Sequence, residues 1–544
     1  MQDVLRALAL SVLLWIFWLA LFGNPFWACL AVAPLLFLTP VEIYLLLTYR
    51  AQINPAILGI ILETNPGESR QYLQAILLPV ALSYGALAGA LGGALWVLRR
   101  NQPRLPRRWR IAALIGAPAV IIALHAVYAP LETAANWLQP VPNAFRTTIW
   151  PQEVEDLRFT APFGVMLQFA DGIESERLIA ASHRQSDSFR FGAHQVPDIL
   201  APQVYVLIIG ESSRADRWSL NGYARFTSPR LQQHDNLISF SDVVTVAPST
   251  RIAVPALLTR RSAENMLNAP FVERSLVSAF HEAGFATYWL STQAPIGAYD
   301  AAYAAYAQEA DRVFYYNVTG GWEVTVTDGV MLEPLRSILA DTSQPRQLIV
   351  VHTMGSHIDY RERYPSEFDI FKPSLERMDT TRWRDAGYIA RLNNAYDNTI
   401  RYSDYFISEV IDAVEASGRK LATVLYVSDH GEDLYDHGCN NWGHGKPTVA
   451  GLRVPMFFWY SAAYAQRFQT KISMLQQHRS APLTLEAVFP LMLDAAGIQF
   501  PTEDASRSVM SSSFAPLPRR IAYTITGKLD FNRAHLGKEC LLTN

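Results

Sequence analysis

Side chains that suit metal binding stand directly after apolar runs of the sequence. Glu211 follows "VYVLIIG" (residues 204–210), and Asp429 and His430 follow "LATVLYVS" (residues 421–428). Ligands of open α/β sheets bind at the carboxyl ends of the strands, and carboxylate oxygens and imidazole nitrogens suit zinc. A helix cap or an acidic surface loop would explain Glu211 alone equally well. Together, the three residues indicate a metal site built from strand ends.

Two further histidines occur at similar places. His357 lies shortly after "QLIVVH" (residues 347–352), in which His352 is the last residue, and His444 lies in "GHGKP". A single histidine is more often structural or exposed than a ligand. Several histidines beside carboxylates after strands favour a shared site.

A hydroxyl that could serve as a nucleophile lies in "TVAPSTRIAVPALLT", residues 245–259. Thr250 precedes an apolar stretch that predicts a helix, with Ser249 as a candidate cap. A hydroxyl at such a position often serves only as a cap. A helix N-terminus also presents free N–H groups to an anion, so a zinc-bound threonine oxygen there would face a phosphate site.

The elements that must position these residues alternate between strand and helix patterns. "ATYWLST" (residues 286–292) is a further strand candidate, and Asp404–Ala416 has a helical pattern. This alternation predicts an α/β domain over residues 201–535, with a mainly parallel central sheet covered by helices on both faces.

The N-terminal part has a different composition. Long apolar runs cover residues 5–22, 26–47, 73–98 and 111–128. Each is near the ~20 residues that cross a ~30 Å hydrocarbon layer, and a cleaved signal peptide explains the first run less well because further runs follow. We expect a helical membrane domain over residues 1–130, and a linker with membrane-surface segments over residues 131–200.

The orientation follows from "RRNQPRLPRRWR", residues 99–110, which has six arginines. The positive-inside rule makes this loop cytoplasmic and places the large domain outside. Four spans would put the N-terminus outside and five would put it inside. Pro34 and Pro40 could break the second run into shorter pieces, so both counts stay open.

The composition excludes some classes of protein and site. The formal net charge of -3 gives no indication of nucleic-acid binding. Cys29, Cys439 and Cys540 are the only cysteines, which supports neither a disulfide framework nor a cysteine metal cluster. We therefore expect a fold that does not depend on disulfides.

Four motifs in order resemble the phosphoethanolamine transferases of the alkaline phosphatase and sulfatase superfamily. They are "GESSRADRWSLNGYARFTSPRL" from Gly210, "TRIAVP" from Thr250, "HTMGSH" from His352 and "VSDHGE" from Val427. The resemblance covers essentially the whole chain. It implies an N-terminal multi-span membrane domain in the bacterial inner membrane and a sulfatase-like catalytic domain in the periplasm.

The resemblance also implies roles for individual residues. One catalytic zinc ion would be held by Glu211, Thr250, Asp429 and His430. The resemblance leaves open whether a second ion binds during turnover. His357 and His444 would lie near the transferred phosphate as catalytic residues. Three residues match substrate-contacting positions: Thr64 and Glu68 of "ETNPGE", which suit an ethanolamine ammonium group, and Gln293 of "TYWLSTQ".

The implied reaction moves phosphoethanolamine from phosphatidylethanolamine, through Thr250, to an envelope acceptor: lipopolysaccharide core, lipid A or a periplasmic glucan. Members that modify lipid A have a cysteine before the nucleophile where this chain reads "APST", and some have asparagine at Ile60. These departures favour a core sugar or a glucan as the acceptor, and disfavour lipid A.

Three other functions fit the sequence less well. A glycerophosphate transferase of the lipoteichoic-acid-synthase type is opposed by the "NGY" segment. A sulfatase is opposed by Val246, because the formylglycine precursor two residues before Pro248 would have to be Cys or Ser. An inactive lipid-binding scaffold is opposed by the complete set of candidate ligands.

Overall fold

The structure is a computed structural model. It describes residues 2–49, 53, 66–128, 160–167, 186, 188–197, 199–266, 273–293, 302–316, 326–376, 385–436, 438–439, 441–524, 527–537 and 540–543. These residues belong to two compact units, one within residues 1–61 and 75–181, and one within residues 62–74, 182–267 and 271–544. The predicted linker, residues 131–200, falls largely outside the described ranges, so its bounds stay a prediction.

The N-terminal apolar runs form helices, as the sequence predicts. They are α1 (Gln2–Phe22), α2 (Pro25–Leu36), α3 (Thr39–Tyr49), α4 (Pro66–Asn101) and α5 (Arg107–Tyr128). Among the described helices, one segment, Val80–Asn101, is long and apolar enough to cross a membrane, and Leu8–Phe22 and Pro25–Leu36 are shorter apolar helices. The count of four or five spans stays a prediction.

The second apolar run divides into α2 and α3. Pro34 lies inside α2, and Pro40 is the second residue of α3. At 1.5 Å per residue, each of these helices is about 16–18 Å long, which is shorter than a ~30 Å hydrocarbon layer. The prediction that the prolines break this run into shorter pieces is therefore consistent with the helix bounds.

The arginine-rich segment joins the ends of two helices. Arg99 and Arg100 lie in the last turn of α4, and Arg110 lies in the first turns of α5. The Arg110 guanidinium donates to the carbonyl oxygens of Ala20 (2.9 Å) and Leu21 (3.0 Å). These carbonyls end α1 and lack intrahelical partners, so Arg110 satisfies them and fixes α5 against α1.

The second unit contains a seven-stranded sheet and several short strand pairs. The described strands are β1 (His194–Gln195), β2 (Gln203–Gly210), β3 (Leu237–Phe240), β4 (Val243–Val244), β5 (Ala286–Ser291), β6 (Arg312–Tyr315), β7 (Arg346–His352), β8 (Leu421–Ser428), β9 (Asp433–Leu434), β10 (Trp442–Gly443), β11 (Met456–Tyr460), β12 (Leu483–Thr484), β13 (Ile498–Gln499), β14 (Ile521–Thr524), β15 (Gly527–Asp530), β16 (His535–Leu536) and β17 (Leu542–Thr543).

The order of the large sheet is β3-β11-β8-β2-β7-β5-β6. Strand β11 runs antiparallel to both of its neighbours, and the pairs from β8 to β6 are parallel. This arrangement confirms the predicted α/β domain with a mainly parallel sheet.

Strand β2 is buried along its whole length, because both faces of the sheet are covered. Tyr205, Leu207 and Ile209 belong to one core cluster, and Val204, Val206 and Ile208 belong to the other. A strand buried on both faces needs a continuous apolar run instead of an alternating one. This explains why "VYVLIIG" could be recognised as a strand.

Helices lie on both faces of the sheet. They are α6 (Thr250–Leu258), α7 (Leu276–Glu282), α8 (Ala302–Ala307), α9 (Leu332–Ala340), α10 (Ala386–Ala416), α11 (Val449–Leu452), α12 (Ala462–Arg467), α13 (Gln469–His478) and α14 (Val488–Ala496). Residues of α6, α7 and α14 belong to the first core cluster, and residues of α9 and α10 belong to the second.

Helix α10 is longer than its predicted part, Asp404–Ala416. It begins at Ala386, and the Asp385 side chain caps it by accepting from the backbone N–H of Gly387 and Tyr388. Its first half contains asparagine and aspartate residues, which are poor helix formers. Here they bond to loops that cover the helix, as Asn398 does to the backbone N–H groups of Ile370 and Phe371.

The fold contains a disulfide, although the sequence supports no disulfide framework. Cys439 and Cys540 form a disulfide, with Cα atoms 5.8 Å apart and a sequence separation of 101. Cys29 is a free thiol. Two cysteines this far apart show no recognisable spacing, so only the fold reveals the pair.

Candidate active site

The predicted site residues come from neighbouring strands. Glu211 follows β2, Asp429 follows β8, and Gln293 lies just beyond β5. Strands β8, β2, β7 and β5 are consecutive in the sheet and parallel, so their carboxyl ends share one edge. Gly210 and Ser428 are paired in register, which places the residues that follow them side by side.

Glu211, Asp429 and His430 form a cluster whose ligand atoms all lie within 4.8 Å of one another. His430 Nε2 is 3.3 Å from Glu211 Oε1 and 3.5 Å from Asp429 Oδ2. Thr250 Oγ1 joins them, 3.0 Å from Glu211 Oε2 and 3.3 Å from His430 Nε2. Bonds of ~2.0 Å from zinc to N and O place the corners of a tetrahedron about 3.3 Å apart, so these four residues fit such an ion.

The cluster contains two carboxylates and is buried. Glu211, Asp429 and His430 are each at most 1% exposed, and Asp429 Oδ2 has no hydrogen-bond partner among the described residues. A buried carboxylate oxygen without a partner costs free energy, which a cation would recover. The chemistry of the donor atoms and their burial therefore point to a metal-binding triad.

Electrostatics couples the three groups. Burial disfavours the charged form of His430, but the carboxylates of Asp429 and Glu211 outweigh it and raise its pKa to about 10. Burial and the charge of Glu211 raise the pKa of Asp429 to about 8. Without a metal ion the cluster therefore retains protons, and metal binding must displace them.

Hydrogen bonds orient the ligand atoms. His430 Nδ1 is 2.9 Å from the Gly431 carbonyl oxygen, which can only accept, so Nδ1 carries a proton and Nε2 faces the cluster. Gly355, at φ +50°, permits the close approach of the loop after β7: a Cβ there would lie 2.8 Å from the Glu211 carbonyl oxygen. The next residue, Ser356, donates its backbone N–H to that oxygen at 2.9 Å.

Thr250 is the first residue of α6 and is not its cap. Ser249 occupies the cap position, but its side chain makes no capping hydrogen bond. The Thr250 hydroxyl donates to Glu211, whereas a capping hydroxyl would accept from a backbone N–H of the helix. Thr250 is half-buried, so it combines contact with the cluster and access from outside.

His357 and His444 lie beside the cluster. The ring centroids of His444 and His430 are 4.8 Å apart, and those of His444 and His357 are 6.2 Å apart. Burial lowers the pKa of His357 to about 3, so its imidazole is neutral near pH 7. His352, by contrast, is the last residue of β7 and packs edge-on against Trp289.

Sequence reasoning missed Glu432, although it lies in the quoted "VSDHGE". Its carboxylate is fully buried, and neither oxygen has a hydrogen-bond partner among the described residues. His444 Nδ1 is 3.8 Å away. Burial and the charge of Glu432 hold the pKa of Tyr360 well above its usual value. The only signal in the sequence was an acid two residues after His430.

The three predicted substrate-contacting residues have different outcomes. Gln293 is buried, and its amide nitrogen donates to the Thr353 carbonyl oxygen (2.9 Å) and to Glu211 Oε2 (3.3 Å). It therefore also supports a ligand of the cluster. Glu68 lies in α4, and Thr64 lies outside the described residues. Their contacts with substrate stay predictions.

Comparisons with known proteins place this geometry in a family. Residues 203–498 match the sulfatase family model, and residues 11–133 match the N-terminal model described as phosphoethanolamine transferase EptA/EptB. The chain is 25% identical to phosphoethanolamine transferase EptC of Escherichia coli K12, over 90% of this chain and 84% of that protein.

Two solved structures are similar. The periplasmic domain of Escherichia coli EptC in complex with Zn matches with a TM-score of 0.55 and 25% identity, over 64% of this chain and 97% of that chain. The second is the integral membrane protein EptA from Neisseria meningitidis, a lipooligosaccharide phosphoethanolamine transferase. It matches with a TM-score of 0.63 and 20% identity, over 91% of this chain and 88% of that chain. The second likeness extends the fold to the N-terminal helices. The chain therefore belongs to the sulfatase family, among its members with the N-terminal domain of phosphoethanolamine transferases.

Proposed function

We propose that this protein transfers phosphoethanolamine from phosphatidylethanolamine to a glycolipid or glycan of the bacterial envelope. The observation that carries this proposal is the position of the Thr250 hydroxyl, 3.0 Å from Glu211 and 3.3 Å from His430 at the start of α6. A hydroxyl held by a buried metal-binding triad suits nucleophilic attack on phosphorus. The family and its phosphoethanolamine transferase relatives support the donor head group.

Glu211, Asp429, His430 and Thr250 would hold the metal ion, for which we propose zinc. Bound zinc would lower the pKa of the threonine hydroxyl and shield the charge of the phosphoryl oxygens. The Zn complex of the related EptC domain supports this choice of ion.

The transfer consists of two displacements. Thr250 Oγ1 loses its proton and forms a bond to phosphorus, while the bond from phosphorus to the diacylglycerol oxygen breaks and diacylglycerol leaves with a proton. An acceptor hydroxyl then loses its proton and bonds to the same phosphorus, and Thr250 Oγ1 leaves and is reprotonated. Phosphoryl transfer of this kind depends on positioning and charge stabilisation.

Other groups of the chain would handle protons and phosphate charge. His357 is neutral near pH 7, so one of its ring nitrogens can accept a hydrogen bond from a hydroxyl, and His444 is the more exposed of the two histidines. We assign both to proton exchange with the leaving and attacking oxygens. Free backbone N–H groups at the start of α6 stabilise an anion.

We assign recognition of the ethanolamine group to Thr64 and Glu68, because a carboxylate suits an ammonium ion. Gln293 would contact substrate or support Glu211. The acceptor is lipopolysaccharide core, lipid A or a periplasmic glucan. The protein resides in the inner membrane as a multi-pass protein with its catalytic domain in the periplasm.

Glu68→Gln should weaken use of an ethanolamine lipid without changing zinc content. Normal use of the lipid by that variant would refute the ammonium contact.

A reconstituted assay tests the proposal. Full-length protein in vesicles that contain phosphatidylethanolamine and an acceptor should release diacylglycerol when zinc is present and stop after chelation. Vesicles with phosphatidylglycerol as the sole donor should give no release. Activity with phosphatidylglycerol alone would instead indicate a glycerophosphate transferase, and no release from either lipid would favour a scaffold.

The metal assignment has its own variant. Asp429→Ala should abolish release and lower zinc content, because it removes one of three charged or imidazole ligands. Full metal content and normal turnover in that variant would remove Asp429 from the site.

A further inference from the structure

A buried arginine lies in the loop that begins with Glu211. The Arg214 side chain is 1% exposed and comes three residues after Glu211 in the same loop. Its Nε and Nη2 atoms donate to the two carboxylate oxygens of Asp216 at 2.9 and 2.7 Å. Its Nη1 atom donates to Asp436 at 3.0 and 2.9 Å. The guanidinium therefore joins the loop after β2 to the segment that follows β9.

Asp436 is held by a second arginine. Arg217 Nη2 donates to Asp436 Oδ2 at 2.5 Å, and Arg217 Nη1 donates to Asp397 of α10 at 3.1 Å. Burial opposes ionisation of Asp436, but both guanidinium groups outweigh it and lower its pKa to about 2. Asp436 is thus a charged group just beyond β9, fixed by two guanidinium groups.

The methylene chain and the backbone of Arg214 also contact the loop that begins with Glu211 and the loop that begins with Asp429. A Cβ on Gly431, the residue after His430, would lie 3.3 Å from Arg214 Cγ, so the arginine stem packs under that backbone. The Tyr396 hydroxyl of α10 accepts from the Arg214 backbone N–H at 3.0 Å and donates to the Ser212 carbonyl oxygen at 2.6 Å. Arg214 Nη1 lies 3.4 Å from the Glu432 carbonyl oxygen.

We propose that Arg214, with Asp436 as its partner, is a positioning residue of the metal centre: it fixes the Glu211 loop against the Asp429–Glu432 loop. This inference rests on the proposed metal-dependent function. Only a planar guanidinium reaches Asp216 and Asp436 at once in a fixed fork, and lysine has a single ammonium group. Loss of the fork therefore leaves each ligand intact but frees the two loops to shift relative to one another.

The test compares full-length Arg214→Lys and Asp436→Asn with a control of matched burial. Arg520 is 9% exposed at its side chain and pairs with Asp242 at 2.7 Å, so Arg520→Lys loses a similar ion pair away from the ligand loops. Zinc affinity is measured by competition with a chelator. Cobalt(II) in place of zinc gives a visible absorption spectrum that reports ligand geometry.

We expect Arg214→Lys and Asp436→Asn to weaken zinc binding by about 10- to 100-fold, the range for partners that orient metal ligands, and to change the cobalt spectrum. Arg520→Lys should lower the thermal midpoint of the metal-free protein and leave zinc affinity and the spectrum unchanged. A purely structural role of Arg214 would instead lower the thermal midpoint with wild-type metal binding, and that result would overturn the inference.

Two safeguards keep the outcome decisive. If Arg214→Lys does not fold, Asp436→Asn decides alone, because it keeps the side-chain shape at a position that is 19% exposed. If the wild-type protein binds no zinc or cobalt, the proposed metal-dependent function fails. Wild-type binding together with unchanged binding in both variants refutes only the role of Arg214.

Discussion

Ser212 adopts a left-handed backbone conformation, φ +55°, beside Glu211. This conformation lets its backbone N–H donate to Asp429 Oδ1 at 3.1 Å and its hydroxyl donate to Glu211 Oε1 at 2.8 Å. A non-glycine residue in this region costs about 1 kcal/mol. The strain is offset by hydrogen bonds to two candidate metal ligands, which is the pattern expected of a functional site.

Two substitutions at Ser212 separate strain from hydrogen bonding. Ser212→Ala and Ser212→Gly both remove the hydroxyl, but only glycine relieves the backbone. We therefore expect Ser212→Gly to unfold with a free energy about 1 kcal/mol above that of Ser212→Ala. Chemical unfolding of the metal-free protein measures the difference. Equal stability of the two variants would mean that the backbone at Ser212 is not strained.

At this scale the sequence predicted the members of the cluster better than the residues that support them. Glu211, Asp429, His430 and Thr250 were recognisable because each stands at a strand end or helix start within a motif. Glu432 and Arg214 were not assigned roles, since what distinguishes them is complete burial and, for Arg214, contacts with residues up to 222 positions away. Such contacts exist only after folding.

At the scale of elements, the sequence predicted where the strands lie. It predicted their directions only in part. Continuous apolar runs predicted β2, β5, β7 and β8, because strands buried on both faces read this way. The reversed strand β11 was missed. It is also fully buried, so its composition does not distinguish antiparallel from parallel pairing.

The disulfide fixes a loop of the site to the C-terminal segment. Cys439 lies between β9 and β10, six residues after Asp433 and five before His444, and Cys540 lies between β16 and β17. Leu542 of β17 donates its backbone N–H to Pro447, so the same segment holds the loop at a second point. The bridge therefore restricts the segment that contains His444.

Removal of the bridge should destabilise the protein. We expect the double variant Cys439→Ser/Cys540→Ser to lose about 2–4 kcal/mol, since the bridge closes a long loop in the unfolded chain. Thermal unfolding with and without a reductant measures the effect, and Cys29→Ser, at the free thiol, is the matched control. Equal midpoints of the double variant and the control would show that the bridge adds no stability.

At the scale of the whole molecule, the arginines where α4 ends and α5 begins predict which side of the membrane each part occupies. Arg99, Arg100, Arg104, Arg107, Arg108 and Arg110 lie within twelve residues, and the positive-inside rule assigns them to the cytoplasm. We therefore expect the catalytic unit on the other side, where envelope glycans are found.

Single cysteines test this orientation. In a Cys29→Ser background, Leu200→Cys, at a side chain that is 90% exposed, should react with a membrane-impermeant thiol reagent in spheroplasts. Asn101→Cys, in the arginine segment, should react only after lysis. Reaction of Asn101→Cys in sealed spheroplasts would reverse the orientation and separate the catalytic unit from its proposed substrates.

The most direct test of the central claim is peptide mass spectrometry of the zinc-loaded full-length protein after incubation with phosphatidylethanolamine and no acceptor. We predict a phosphoethanolamine adduct on Thr250, absent from Thr250→Ala, which should retain zinc through its three remaining ligands, and reduced in Thr250→Ser. An adduct on Ser249, or full transfer activity in Thr250→Ala, would contradict the account.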